Sequence, residues 1–310
     1  MFGSIADLFN LTRHPWRGSR SPAICMYHSI STEGSREWGP WQYSVTPYQF
    51  KQQIAWLSEN RSVVSVEEIV SYLRDGATIP EDAVAITFDD GYNDFVTAAL
   101  PVLRAYDVPC TLYVSTALME EGRAPYEFRL GKTVLNVEEL NVSTNGGEQS
   151  YRCTTEDDTR VVYNELRTLI EHRPVEERNS FLTKNGIAEC PTFSIITPPD
   201  VRKLNDERLV TVGSHGHHHR PLGPLSATTI EEDVCMSLSR LSTLLGKNPR
   251  HFSFPYGSHS RTARRVIQKM GFESSVTTNS RAVRPRDWTR LFSLPRIDMS
   301  MAGSGVPPGI

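Results

Sequence analysis

The sequence predicts an α/β fold in which parallel strands are covered by helices. Short apolar runs alternate with amphipathic segments, which favours strands joined by helical crossovers. Both clusters of chemically capable side chains fall where such runs end, and parallel sheets and barrels gather their chemistry there. A length of 310 residues accommodates one α/β barrel without a second core.

Residues 1–20 read as a lead-in, in which Phe2, Ile5, Leu8 and Phe9 share a helical face expected to dock on the domain formed by residues 21–310. Ala23-Ile24-Cys25-Met26-Tyr27-His28 is the first predicted strand. Thr46-Pro47 then opens a helix with Phe50, Ile54 and Leu57 on one face, because Thr is a good N-cap and Pro suits the first turn. A short segment, Val63-Val64, leads to Ser65-Val66-Glu67-Glu68, a capping box that starts the next helix. The run Ala83-Val84-Ala85-Ile86-Thr87-Phe88 is a strand, a helix over 94–105 is kinked at Pro101, and a further strand covers 109–114.

The stretch 118–205 breaks this rhythm. It offers a hairpin around 141–147 and helices near 158–171 and 174–184, with Val162, Leu166, Leu169 and Ile170 as buried positions. It reads as an insertion beside the mouth of the barrel, either shaping specificity or decorating the fold. Beyond it come a strand over 209–213, a helix over 226–246 ended by Gly246, and a strand at His251-Phe252-Ser253-Phe254. A helix over 259–270 and strands near 273–278 and 291–298 complete the series.

Bulk composition excludes several classes. The balance of 33 basic against 36 acidic residues, net −3, gives no electrostatic case for a nucleic-acid partner. Cys25, Cys110, Cys153, Cys190 and Cys235 are odd in number and widely spaced, so free thiols are expected rather than a disulfide framework or a cysteine zinc site. No window reaches the roughly eighteen apolar residues of a membrane-spanning helix. The N-terminus lacks a basic region followed by an uninterrupted apolar one, so the expected location is the cytoplasm. Oligomeric state is not readable.

The chemistry lies in two motifs. Asp89 and Asp90 close an apolar strand and precede Gly91-Tyr92, whereas adjacent acids elsewhere often mark only a turn or an N-cap. Downstream, Leu209-Val210-Thr211-Val212-Gly213 ends in Ser214-His215-Gly216-His217-His218-His219. The spacing of His215 and His219 lets both imidazoles face one ion from a single helical turn; His215 with His218 is an alternative pair, and an exposed histidine cluster is the plain reading. One carboxylate and two imidazoles make a three-ligand set that leaves an open position for water, suited to zinc, with cobalt, nickel or iron as substitutes. One acid would ligate and the other would accept a proton from water.

These residues resemble the polysaccharide deacetylases, the carbohydrate esterase 4 or NodB-homology family. The first motif stands as Thr87-Phe88-Asp89-Asp90-Gly91 and the second as His215 to His219, with Gly216 where the family usually has Ser or Thr. The third is Phe252-Ser253-Phe254-Pro255-Tyr256-Gly257. Met26-Tyr27-His28-Ser29-Ile30 and Leu294-Pro295-Arg296-Ile297 resemble a branch that modifies cell-surface polysaccharides. The resemblance implies a distorted (β/α) barrel of about seven strands. It implies a zinc-like ion held by Asp90, His215 and His219, with Asp89 as general base. Pro255 and Tyr256 fall on the substrate side, the Tyr256 N–H stabilising the oxyanion. The implied partner is an acetylated glycan or glycan precursor, and the implied reaction is removal of its N-acetyl groups. O-deacetylation and a non-catalytic glycan-binding barrel are the competing readings.

Two departures stand out. Ser253 occupies the place where many members carry an Arg that orients the base; Arg296, at another strand end, can supply that guanidinium or serve only a structural salt bridge. The family's late general-acid histidine is absent, so His28, protonated Asp89 or His259 must protonate the amine, with His28 preferred by its strand-end position. Trp288 is the nearest candidate for the family's aromatic pocket, with an ordinary packed Trp as the better expectation.

Overall fold

The computed structural model describes residues 21–31, 39–122, 125–144, 146–171, 173, 175–187 and 193–302, so the expected lead-in helix and Cys190 lie outside the described residues. The strands are β1 (Ala23–Tyr27), β2 (Ser62–Val64), β3 (Ala83–Phe88), β4 (Cys110–Val114), β5 (Glu139–Thr144), β6 (Gly147–Arg152), β7 (Val210–Ser214), β8 (His251–Ser253), β9 (Ser274–Val276) and β10 (Ile297–Asp298). Seven of them run in the order β10-β1-β3-β4-β7-β8-β9, all parallel, while β2 pairs with the first half of β3. The two edges approach through Leu294, which bridges to Val276 of β9 just before the chain enters β10. This is the distorted barrel that the motifs imply.

The helices form where the local chemistry asks for them. Helix α1 (Pro47–Asn60) starts at Thr46, whose hydroxyl accepts the Gln49 N–H at 3.2 Å while the Gln49 side chain accepts the Thr46 N–H at 2.9 Å. Helix α2 (Val66–Asp75) repeats the device with Ser65 and Glu68. Pro101 reshapes its helix: a π-turn over Phe95–Ala99 precedes α3 (Leu100–Ala105), which widens the backbone where the proline ring would clash with the preceding turn. The last predicted strand is much shorter than expected. A 3₁₀ segment occupies Pro285–Ser293, and Pro295, which lacks an N–H for the ladder, leaves only Ile297–Asp298 paired.

The insertion comprises α4 (Thr116–Glu121), α5 (Tyr126–Leu135), the β5–β6 hairpin, α6 (Glu156–Glu171), α7 (Val175–Lys184) and α8 (Pro198–Asn205). It shares the barrel's core. Phe128 stacks on Phe193 at 4.0 Å and meets Tyr92 and Trp41 edge-on, so α5 is packed against the strand ends. Helices α9 (Ala227–Leu245) and α10 (Arg261–Lys269) cover the later strands, around buried Phe252, Phe254 and Ile267. Among the described residues the four cysteines are free thiols, and no helix is long and apolar enough to cross a membrane.

Candidate active site

Strand β3 ends by handing over two acids that point to different places. The chain turns at Asp90, which takes φ +72°, a left-handed conformation that Asp tolerates better than most residues, and Gly91 follows at +82°. The two carboxylates part there: Asp89 meets Arg296 and Ser253, and Asp90 meets His215 and His219.

Asp89 is buried and fully engaged. Arg296 Nη1 donates to its Oδ1 at 2.8 Å and Nη2 to its Oδ2 at 2.5 Å, and Ser253 Oγ donates to Oδ2 at 3.2 Å. Arg296 has no exposed surface, and its remaining donors reach Thr277 O, Thr87 Oγ1 and Ser253 Oγ, so all five N–H groups have acceptors. The guanidinium missing from the third motif is thus supplied by Arg296, immediately before β10, and Ser253 joins its network. Burial, the largest influence, pushes the Asp89 pKa up, but the Arg296 guanidinium and His215 outweigh it and hold the carboxyl below its ordinary value.

Asp90 Oδ1 lies 3.3 Å from His215 Nε2 and 3.0 Å from His219 Nε2. The donor atoms of these three residues all fall within 4.8 Å of one another, yet Asp90 Oδ1 is buried without a hydrogen-bond partner. His215 Nδ1 is 2.8 Å from Ser253 O, which makes Nδ1 the protonated nitrogen and leaves the Nε2 lone pair facing Asp90. A carboxylate oxygen and two imidazole nitrogens converging in a largely buried site fit a divalent cation.

The histidines do not sit on a helical turn, contrary to their spacing. Residues 215–219 form a loop after β7, with Gly216 at φ +74° and His219 at +49°. Asp233 of α9 organises it, accepting the His217 N–H at 2.9 Å, the His218 N–H at 3.2 Å and His218 Nδ1 at 2.7 Å. Those amides are therefore taken by a carboxylate instead of helical carbonyls. His218 is turned away with them, and the His215/His218 pairing fails. A side chain at Gly216 would stand 2.9 Å from Asp233 Oδ2, so this loop is shaped for Gly where the family usually has Ser or Thr.

His28 stands at the end of β1 with Nε2 4.0 Å from Asp89 Oδ2, and its Nδ1 is buried without a hydrogen-bond partner. It is not a satisfied core histidine. His259 instead bonds Gly257 O through Nδ1 and packs on Phe254, outside the cavity lining. Tyr256 lies in a 3₁₀ turn over Pro255–Gly257 at φ +57°, its ring 4.8 Å from that of His219. Pro255, the first residue of that turn, is buried and does not line the cavity. Trp288 is 62% exposed on the Pro285–Ser293 segment, so it is neither a packed core residue nor part of a pocket at this site.

These groups floor a cavity of about 530 Å³ whose walls bring His28 and Tyr43 from the barrel together with Glu127, Tyr163, Asn164 and Arg167 from the insertion. Glu127 has no counterpart in the sequence reading. It accepts the Tyr256 hydroxyl at 2.7 Å, and burial pushes its pKa up. In the sequence it is only an acid in the first turn of an unremarked helix, and its contact partner is 129 positions away.

The sequence profile of the polysaccharide deacetylase family matches residues 76–275. The poly-beta-1,6-N-acetyl-D-glucosamine N-deacetylase of Escherichia coli (strain K12) is 25% identical over 291 residues, spanning 93% of this chain but only 38% of that protein. The chain thus spans well under half the length of that relative. The enzyme of the same name from Staphylococcus aureus (strain MSSA476) is 34% identical over 259 residues, 83% of this chain and 68% of its own. Among solved structures, the Streptococcus pyogenes deacetylase PplD in complex with acetate superposes with TM-score 0.61 at 20% identity, covering 90% of this chain and 92% of that one. IcaB from Ammonifex degensii gives TM-score 0.60 at 19% identity, covering 90% and 91%. These two share the fold. With the profile spanning most of the barrel, including the Asp89–Asp90 and His215–His219 motifs, the chain belongs to the polysaccharide deacetylase family.

Proposed function

We propose that the chain is a divalent-metal-dependent N-deacetylase of a polymer of N-acetylglucosamine or its precursor. The observation that carries this reading is the pairing of two sites at adjacent residues: an Arg-clamped carboxylate at Asp89 and a three-donor cluster centred on Asp90. The relatives' names supply the substrate class.

Asp90, His215 and His219 would hold the ion, zinc or a neighbouring transition metal, which supplies Lewis acidity toward the acetyl carbonyl and makes water acidic near neutral pH. Asp89 receives the proton of the attacking water. Its Oδ2 already accepts two hydrogen bonds and its Oδ1 one, so Oδ1 keeps the spare lone pair. The Arg296 clamp keeps Asp89 ionised, hence in the accepting form, and fixes its plane. The Tyr256 N–H is the donor for the oxyanion that develops on the acetyl oxygen. His28 Nε2, on the cavity wall 4.0 Å from Asp89 Oδ2, hands a proton to the departing amine. Acetate and a free amino sugar result.

The test is acetate release from poly-β-1,6-N-acetylglucosamine and its short oligomers, with matched O-acetylated glycans alongside. Asp89→Asn should lose turnover and keep bound metal, His215→Ala should lose both, and a chelator should silence the wild type. Release from O-acetyl substrates alone, full activity in Asp89→Asn, or indifference to the chelator would each overturn the reading.

A further inference from the structure

The turn that carries the Tyr256 N–H is closed by two backbone bonds, Gly257 N–H to Phe254 O at 2.8 Å and Ser258 N–H to Pro255 O at 3.0 Å, and its tip reaches across to the insertion. Tyr256 adopts φ +57° and ψ +12°, a left-handed conformation that is unfavourable for a bulky aromatic residue. The residue is 41% exposed at the lip of the cavity, so burial in the core does not fix it. Two side-chain contacts add to the backbone bonds of the turn. Its ring lies against His219, and its hydroxyl donates to Glu127 Oε1 at 2.7 Å. Glu127 is itself well anchored: it occupies the first turn of α5, its carboxylate accepts its own backbone N–H, and neighbouring Phe128 is locked between Phe193, Tyr92 and Trp41. On the far side, Gly257 packs closely on Thr278: a side chain there would fall 2.1 Å from Thr278 Oγ1. The hydroxyl thus links the insertion to the oxyanion side of the cavity.

We propose that Glu127 is a positioning residue that, by holding the Tyr256 hydroxyl, fixes the left-handed turn whose N–H faces the reacting carbonyl. The inference rests on the Tyr256 role given above and adds the device that sets it. Glu127 acts here as a hydrogen-bond acceptor, so its charge is dispensable and its oxygen is not. The insertion thereby tunes turnover through a contact that never touches the reacting atoms.

Four variants test it on the metal-loaded protein: Glu127→Ala, Glu127→Gln, Tyr256→Phe and the Glu127→Ala/Tyr256→Phe double. Glu127→Ala and Tyr256→Phe should each lower kcat about tenfold, as expected for a displaced donor, with KM within about twofold of wild type. The double variant should be no worse than the worse single, and Glu127→Gln should recover most of the rate because its amide oxygen still accepts the hydroxyl. Effects that multiply, a Glu127→Gln as slow as Glu127→Ala, or losses confined to KM would overturn the proposal, pointing to direct contact of Glu127 with substrate or proton. A second readout needs no turnover. Acetate titrated into the metal-loaded protein should shift the ¹⁵N–H resonance of Tyr256 in wild type and much less in Glu127→Ala and Tyr256→Phe. Equal shifts in all three would sink the clamp. A wild type that releases no acetate from any glycan would instead count against the proposed activity, and the acetate titration would still decide the clamp.

Discussion

Arg296 holds both carboxylate oxygens of Asp89 from 207 positions along the chain, at 2.8 Å to Oδ1 and 2.5 Å to Oδ2. Lysine cannot reproduce this. A single ammonium has no planar fork and leaves Thr277 O, Thr87 Oγ1 and Ser253 Oγ to find other partners. Arg296→Lys is expected to lower kcat about 100-fold by loosening the base, with metal content unchanged. Arg296→Ala, which strands a buried carboxylate, should also cost about 3–5 kcal/mol of stability. Acetate-release kinetics, metal analysis and denaturant unfolding measure the three effects; a Lys variant of wild-type rate would mean the clamp is structural only.

The proton-donor role proposed for His28 makes its importance depend on the leaving group. His28→Ala should lose roughly 100-fold or more in kcat on N-acetylglucosamine oligomers. On 4-nitrophenyl acetate, whose leaving group departs without a proton, the same variant should stay near wild type. Equal losses on both substrates would assign His28 to binding or to the support of Asp89, whose Oδ2 is 4.0 Å away.

Much of this site was legible because strand ends announce themselves. Asp89 and Asp90 follow six apolar or β-branched residues, and Thr46 and Ser65 carry their capping partners three positions on. Arg296 could be nominated because it is a guanidinium at a predicted strand end. What spacing could not distinguish is a helical turn from a loop of the same length. His215 and His219 are four apart in either, and the deciding residue, Asp233, arrives from α9. Glu127 was illegible for a related reason. Its role exists only because Phe128 seats α5 on the barrel, a packing event with no local signature.

Gly216 inverts the usual expectation that a family-consensus residue stabilises. Gly216→Ser would place a β-carbon at φ +74°, 2.9 Å from Asp233 Oδ2, where it strains the backbone and pushes on the carboxylate that organises the loop. A loss of about 1–2 kcal/mol is expected, together with weaker cobalt binding, because His215 and His219 flank the disturbed turn. Thermal unfolding and cobalt titration report these separately. A Ser variant as stable and as tight as wild type would show that the loop can relax around the added atoms.

Away from the cavity, Glu273 joins the β9 end to α2 and β8: Arg74 Nη1 and Arg250 Nη2 each reach its Oε2 at 2.7 Å, and Arg250 Nε bonds Oε1. These bonds, those of Arg250 foremost, hold the Glu273 pKa at about 2 against an ordinary 4.5. A carboxyl whose pKa is depressed by folding contributes stability that is complete above the unfolded value and disappears as pH falls through the folded one. Glu273→Gln should therefore destabilise the protein at pH 7, and the gap to wild type should shrink between pH 4.5 and about 2. The side chain is partly solvent-exposed, so screening limits the gap at neutral pH to about 1 kcal/mol. Added salt should narrow it further at neutral pH, where the ion pairs are intact. Urea unfolding of both proteins across this pH range tests the argument: a gap that is constant with pH would show that Glu273 contributes through packing and neutral hydrogen bonds, with no part played by its charge.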